Sequence, residues 1–282
     1  MQHAGIIVLI LIVITTIVSY KGFSNSLFFD GYKFEVDRIL LNKDYKRLIT
    51  SGFLHVSWTH LVFNMFSLYV FSGLVELTLG SLHFLLIYFA SLVGGGLLSL
   101  LVHKNHGDYS SVGASGAVSG VMFASVAMYP DMGINLFLLP VYIPGWVYAL
   151  AFVLFSIYGI RSKKDNIGHD AHMGGALVGM VLALVMNPSA ILNNYGKILI
   201  ILIPTVVFIY LIVTRPAVLL IDNLFYNNHR HFYSVDHRYN AARADQQQET
   251  DRILDKISRS GMGSLSKKEK ETLKRYSKNI NH

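Results

Sequence analysis

Cysteine is absent from this 282-residue chain, and charged residues are scarce. Without cysteine the chain can form neither a disulfide framework nor a thiolate-ligated metal site. Only 15% of the residues are charged and 52% are hydrophobic, whereas a soluble domain carries roughly a quarter charged residues. The composition therefore indicates a polytopic membrane protein, with room for six or seven spans of about 20 apolar residues and a tail.

Seven apolar runs predict membrane helices. The expected spans are residues 4–20, 58–77, 82–102, a short run of about 16 residues ending at 129, 145–160, 169–186 and 197–214. The first run has no basic segment before it and no small-residue cleavage site after it, so we interpret it as a retained span. The fourth is short for a full crossing, which is typical of a helix that begins inside the bilayer beside a cavity.

Two further features of the chain predict local structure. The long segment between the first two spans is expected to contain short helices, and Pro204 is expected to kink the seventh span without ending it. From Arg215 onward the sequence becomes polar and charged. There a short helix is expected to end at Gly261, and Ser266 with Glu269 has the spacing of a capping box that opens a second basic helix.

Polar residues at membrane depth are costly and are therefore candidates for a functional site. His60 and Asn64 lie four residues apart, on one helix face. Ser115 begins the short fourth segment and His172 lies near the start of the sixth. A serine beside a neutral imidazole can act as a nucleophile with the imidazole as its base. We expect a dyad, because Asp170, the nearest acid, is two residues from His172 on a helix and points elsewhere.

An oxyanion formed by such a nucleophile needs hydrogen-bond donors. His60 and Asn64 can donate from their side chains, and the amide of Ser115 is free of an intrahelical acceptor if the residue begins a helix. The sequence therefore contains a nucleophile, a base and oxyanion donors.

Small residues in the fourth and sixth segments predict how Ser115 and His172 meet. The two stripes are Gly116, Gly120 and Ala124 in the fourth segment and Gly175, Gly179 and Ala183 in the sixth. Stripes of this spacing allow helix backbones to approach closely. If the two helices pack together, Ser115 and His172 lie at the same depth.

Taken singly, these residues have other interpretations. A Gly-Ala-Ser-Gly stretch is more often a packing motif than a catalytic one. His55 with His60, or His169 with His172, suggests a metal or haem ligand or a proton relay, as in a redox or transport protein. Neither an acidic cluster nor an H-E-x-x-H motif accompanies them, so we expect no metal and no cofactor.

Taken in order, the residues resemble the rhomboid family of intramembrane serine proteases over about residues 45–187. The GASG sequence at 113–116 is similar to the family's nucleophile motif, and AHMGG at 171–175 is similar to its base motif. The H-x-x-x-N pattern at His60 and Asn64 matches as well. Further matching positions are Arg47, Glu76 and Gly80.

The resemblance implies an all-α polytopic membrane protein with a rhomboid-like six-helix core, a seventh transmembrane helix and a short helical C-terminal tail. We expect the catalytic membrane core at residues 1–190, the additional transmembrane helix at 191–214 and the polar, basic helical tail at 215–282. Part of the tail resembles a C-terminal segment of some bacterial rhomboid-like proteins.

The resemblance also implies roles for individual residues. Ser115 would be the nucleophile and His172 its general base, while His60, Asn64 and the Ser115 amide would form the oxyanion hole. Supporting roles are expected for His55, Gly113, Gly116 and Gly175. Rhomboids often carry an aromatic residue four positions after the nucleophile, where this chain has Ser119. An aromatic ring from another helix could support His172 instead, and Tyr109, near the helix mouth, is a candidate.

The implied activity is that of a serine-type intramembrane endopeptidase, which hydrolyses transmembrane segments of other proteins within the lipid bilayer. We expect no nucleic-acid partner and an integral, multi-pass location in the bacterial inner membrane; the oligomeric state is left open. The alternative is a pseudoprotease that binds client transmembrane helices without cleaving them. Because such relatives have usually lost the serine or the histidine, the presence of both favours the enzyme.

The distribution of positive charge opposes the orientation that the resemblance implies. With seven spans, loops one, three and five (those after the first, third and fifth spans) and the tail carry 23 of the 24 Lys and Arg residues, and only Lys197 lies on the other face. The positive-inside rule would make the first face cytoplasmic, although it is weakest for structured loops and long tails. Rhomboids normally direct these loops outward, and we favour that orientation for the active site. Impermeant labelling of cysteines introduced into loop one and the C-terminus distinguishes the two.

Overall fold

The computed structural model describes residues 5–135, 142–162 and 167–214, together with 252–253, 256–257, 265–266 and 269–270 of the C-terminal segment. Within these residues the fold is helical. In chain order the α-helices are α1 (Ile6–Ser24), α2 (Ser26–Tyr32), α3 (Val36–Leu40), α4 (Arg47–Thr50), α5 (Trp58–Leu79), α6 (Ser81–His103), α7 (Ser115–Met128), α8 (Gly145–Ser162), α9 (His169–Met186) and α10 (Ser189–Thr214). The short strands are β1 (Phe34–Glu35), β2 (Ser110–Ser111), β3 (Gly133–Asn135) and β4 (Tyr142–Pro144).

Five of these helices are long and apolar enough to cross a membrane, namely α1, α5, α6, α9 and α10. Apolar helices α7 and α8 are shorter. The 14 residues of α7 extend about 21 Å at 1.5 Å per residue, less than a hydrocarbon core of about 30 Å. Every residue of α7 from Gly116 to Met128 is buried, so protein rather than lipid surrounds this short helix. The chain is an all-α polytopic membrane protein, as its composition predicts.

Helices α7 and α9 are in backbone contact through the predicted glycines. A Cβ built on Gly175 would lie 3.1 Å from the Cα of Gly116 and would overlap its carbonyl oxygen. One turn further along, a Cβ on Gly179 would lie 2.5 Å from the Cα of Gly120. Only glycine permits this approach, so the stripe of small residues does set the helix packing, as expected.

The opposite side of α9 is in similarly close contact with α6. A Cβ on Gly174 would lie 3.0 Å from the carbonyl oxygen of Gly94 and 3.0 Å from the Cα of Gly95. Gly174 and Gly175 are consecutive, yet Gly174 contacts α6 and Gly175 contacts α7. The backbone of α9 is therefore in direct contact with the backbones of both helices.

Loop one, which joins α1 to α5, contains the expected short helices and is held together by Arg47. The Arg47 side chain is buried. Its Nη1 donates to the carbonyl oxygens of Asp30 at 2.9 Å and Lys33 at 2.7 Å. Its Nε donates to the Asp44 carboxylate at 2.8 Å. The hydrogen bond from Arg47 holds the pKa of Asp44 below its ordinary value. Strand β1 of this loop pairs antiparallel with β2 of loop three, so the two loops lie on the same face.

Replacing Arg47 with methionine is expected to destabilise the protein by about 3 kcal/mol, because two partly buried carbonyls and a carboxylate lose their donor together. Thermal unfolding of the purified protein measures the effect. Arg38→Met is the matched control, since this side chain is 55% exposed and lies 3.8 Å from Glu35, a surface pair worth about 0–1 kcal/mol. Equal unfolding temperatures for the two variants would contradict the role given to Arg47.

The seventh span is longer than the apolar run suggests. Helix α10 begins at Ser189 rather than near Lys197, and its backbone is irregular at Asn194 (φ −135°, ψ 17°). It continues through Pro204 as expected. Lys197 forms an ion pair with Asp131, in the turn between α7 and β3.

The predicted capping box of the C-terminal segment is confirmed. The Glu269 amide donates to Ser266 Oγ at 3.2 Å, and the Ser266 amide donates to the Glu269 carboxylate at 2.7 Å. This backbone donor and Lys256 Nζ, which lies 2.9 Å from the carboxylate, lower the pKa of Glu269 to about 2. The helix end predicted at Gly261 lies outside the described residues.

Candidate active site

The Gly-Ala-Ser segment before α7 has a backbone that requires glycine at its first position. Gly113 has φ +132°, and its amide donates to the Ser51 carbonyl at 3.0 Å. A Cβ at this position would lie 2.8 Å from Cε1 of His60. Ser115 is the first residue of α7, in the turn whose amides have no intrahelical acceptor.

The side chain of His55 connects this segment to α1 by hydrogen bonds. Ser19 Oγ donates its single proton to the Phe53 carbonyl at 2.8 Å, so it accepts from Nδ1 of His55 at 2.9 Å. Nε2 of His55 then accepts from the Ala114 amide at 3.3 Å. Burial lowers the pKa of His55 to about 3, in keeping with this neutral tautomer. The histidine thereby connects α1 to the residue preceding Ser115.

The side chains of His60 and Ser115 lie on the same side of Gly113. The region between these two side chains is referred to below as the space above Gly113. The point where a Cβ of Gly113 would stand is 3.0 Å from Nε2 of His60 and 3.7 Å from Oγ of Ser115. The ring of His60 also contacts His55 edge to face, with centroids 4.8 Å apart. The His60 imidazole and the Ser115 hydroxyl therefore both lie close to Gly113.

Asn64 is buried one turn further along α5, and its side chain is bonded to its own helix. Its Nδ2 donates to the carbonyl of His60 at 2.9 Å. A carboxamide nitrogen carries two hydrogens, so this bond uses one of them. The structure thus brings Asn64 beside His60 but directs one of its hydrogens to the backbone.

His172 lies in the first turn of α9, next to the start of α7. A Cβ on Gly116, the residue after Ser115, would lie 3.4 Å from the carbonyl oxygen of Ala171, the residue before His172. The starts of α7 and α9 therefore meet, and the two side chains leave adjacent backbones. The His172 ring is only partly buried.

The aromatic ring beside His172 comes from α8. Phe152 has its centroid 5.9 Å from that of His172, with an interplanar angle of 33°. The ring from another helix that the sequence allowed is therefore that of Phe152. Tyr109 stacks on His103, with centroids 3.6 Å apart. No sequence signal distinguished Phe152 from the other aromatic residues of its apolar run.

Asp170 points away from His172, as expected. Its Oδ2 lies 3.3 Å from Nε2 of His103 on α6. His169 contacts His172 edge to face at 6.0 Å and packs against Phe155 of α8 at 5.2 Å. Among the residues that the structure describes, no group of three or more His, Asp or Glu side chains could hold a metal ion.

Comparison with known proteins identifies the family to which this chain is similar. The rhomboid domain model matches residues 42–189, just over half of the chain, and residues 233–279 match a family of unknown function (DUF6576). The first match contains all the residues of the candidate active site except Ser19; the second match lies within the tail.

Individual relatives carry the same family name. The chain is 32% identical over 157 residues to "Rhomboid protein 1, mitochondrial" of Saccharomyces cerevisiae, covering 53% of this chain and 45% of the relative. It is 35% identical over 161 residues to "Rhomboid-like protein 11, chloroplastic" of Arabidopsis thaliana, covering 54% and 56%. Identity to "RHOMBOID-like protein 12, mitochondrial" of the same plant is 27% over 180 residues, covering 58% and 53%.

The chain thus spans about half the length of these curated relatives. The domain match, together with the membrane fold, establishes that the chain belongs to the rhomboid family.

Proposed function

We propose that this protein is an intramembrane serine endopeptidase that cleaves transmembrane segments of membrane proteins. The observation that carries the proposal is the backbone contact between Gly116 and Ala171. This contact brings the starts of α7 and α9 together, which supports a dyad of Ser115 and His172. Rhomboid membership supports the same activity.

In this mechanism Ser115 Oγ attacks the carbonyl carbon of the scissile peptide bond while a ring nitrogen of His172 takes the hydroxyl proton. The resulting imidazolium then protonates the leaving amine, and an acyl-enzyme ester remains on Ser115. Water attacks the ester, again with His172 as base, and releases the new carboxyl end of the substrate. No other residue needs to gain or lose a proton.

The negative oxygen of each tetrahedral intermediate is assigned to the space above Gly113. His60 Nε2 borders that space, and the Ser115 amide stands at the start of α7, where the helix dipole also favours negative charge. The second hydrogen on Asn64 Nδ2 is the third donor. His55, Gly113, Gly116 and Gly175 support the site through the backbone contacts described above.

The substrates are transmembrane proteins reached from the lipid bilayer, and the reaction requires no cofactor. A substrate helix must unwind locally to present its carbonyl, so helix-weakening residues such as glycine favour cleavage. We further infer that residues 1–190 form the catalytic core and 191–214 an added span, with 215–282 as a basic helical tail. The resemblance of the tail to bacterial rhomboid-like proteins favours the bacterial inner membrane.

Labelling with a fluorophosphonate probe tests the proposed chemistry. The purified protein is expected to form a covalent adduct on the peptide that contains Ser115, identified by mass spectrometry, and to lose cleavage activity in proportion to labelling. Cleavage that persists after complete labelling would contradict the proposal. A protein that binds transmembrane helices but neither labels nor cleaves would be a pseudoprotease.

A further inference from the structure

The proposed base lies close to the N-terminal end of α9. Its amide donates to the Gly168 carbonyl at 3.1 Å, and local opening is easiest at helix ends. Glycine contacts hold the backbone of α9 at the carbonyl oxygen of Ala171, which lies against Gly95 of α6 and Gly116 of α7, and again from Gly174 onward. Ala171 is a single point of contact in the first turn, so side chains of that turn also contribute to its orientation.

Asp170 supplies a contact of this kind. The residue is 5% exposed, and its carboxylate lies 3.3 Å from the imidazole of His103, whose side chain is 13% exposed. The 3.3 Å separation is an ion-pair distance without hydrogen-bond geometry, and a carboxylate this deeply buried is costly unless a positive or donor group stands beside it. The contact joins the first turn of α9 to the last turn of α6, on the side of α9 away from Phe152.

His103 is in turn held by loop three. The ring of Tyr109 is stacked on it nearly parallel, at 8°, and also meets Phe34 edge to face with centroids 6.2 Å apart. The Tyr109 carbonyl accepts a hydrogen bond from the Val36 amide of loop one at 3.1 Å. The partner of Asp170 is thus itself fixed by two loops.

We propose that Asp170 and His103 are positioning residues for His172, an inference that rests on the proposed function. Their contact fixes the first turn of α9 against α6, while Phe152 and His169 bound the His172 ring on the side of α8. The pair sets the direction from which the imidazole meets Ser115. It neither touches the substrate nor transfers a proton to it.

Loss of the pair is expected to affect the chemical step rather than substrate binding. A displacement of about 1 Å in a reacting group can lower a rate by about a hundredfold. We expect Asp170→Asn and His103→Ala each to lower the rate of fluorophosphonate labelling at Ser115, and kcat, by about ten- to a hundredfold, with KM unchanged.

The two residues should act as one unit. The double variant Asp170→Asn/His103→Ala is expected to be no slower than the slower single variant, because interacting residues are not additive. His103→Gln retains a side-chain donor and is expected to restore most of the rate lost in His103→Ala. The matched control is Asp131→Asn, which removes a carboxylate paired with Lys197 and should label at the wild-type rate.

A second readout does not require catalysis. In protein labelled with nitrogen-15 histidine, the imidazole signals of His172, assigned by their loss in His172→Gln, are expected to shift or broaden in Asp170→Asn and to stay in place in Asp131→Asn. Unchanged His172 signals, or multiplicative effects of the two singles in the double variant, would overturn the positioning role. A wild-type protein that neither labels nor cleaves would instead refute the proposed function, and the imidazole signals would still decide the positioning role.

Discussion

Replacing Ser115 with alanine is expected to lower cleavage of a transmembrane substrate by at least about a thousandfold and to abolish fluorophosphonate labelling. Removal of a serine nucleophile in a serine protease has an effect of this size, because the acyl-enzyme route disappears and only binding and oxyanion stabilisation remain. The substrate should still bind, since the alanine leaves the helix contacts of α7 intact. Cleavage kinetics and co-purification of substrate measure the two properties separately.

Ser119→Ala is the matched control for this prediction. Ser119 lies one turn further along α7 and is 4% exposed, so the same atom is removed from the same helix. We expect the control to keep both labelling and cleavage. Equal cleavage by Ser115→Ala and the wild type would refute the assignment of the nucleophile.

Adding a single methyl group at Gly175 is expected to have the next largest effect. In Gly175→Ala the new Cβ would overlap the carbonyl oxygen of Gly116, so α7 and α9 must separate. Overpacking of this kind costs about 1–3 kcal/mol, and the shift moves Ser115 away from His172. We expect a lower unfolding temperature and a loss of labelling rate of about a hundredfold.

Gly196→Ala separates the steric effect from the general effect of replacing a helical glycine. Apart from its chain neighbours and its own helix backbone, nothing lies within 4 Å of a Cβ built on Gly196, which is located in α10. This control should retain the labelling rate of the wild type. If Gly175→Ala retained it as well, the contact between α7 and α9 would not determine the geometry of the proposed dyad.

The helical architecture could be predicted from the sequence because apolar runs and helix spans nearly coincide. The prediction for α9, residues 169–186, matches the structure. Several helices extend beyond the predicted spans, α10 the furthest, since hydropathy detects lipid-facing residues rather than helical backbone. Helix α1 continues to Ser24 through Lys21, and α10 begins at Ser189, before the polar residues that interrupt its apolar run.

The side-chain contacts around the proposed site could be predicted only in part. Glycine spacing predicted that α7 meets α9, because helix periodicity alone places those residues on one face. The bond from His55 to the Ala114 amide and the contact between Asp170 and His103 join distant parts of the chain. Such contacts depend on how the helices are arranged, which local sequence patterns do not encode.

The contact between α7 and α9 also has an entropic consequence. Backbone atoms meet there, without intervening side chains whose rotamers must be ordered. A site assembled from long side chains would lose rotamer freedom each time it closed, at about 0.5–2 kcal/mol per side chain. Here the spacing of the helices is set by the main chain when the protein folds. Only the side-chain torsions of Ser115 and His172 must then be ordered for the two groups to align for reaction.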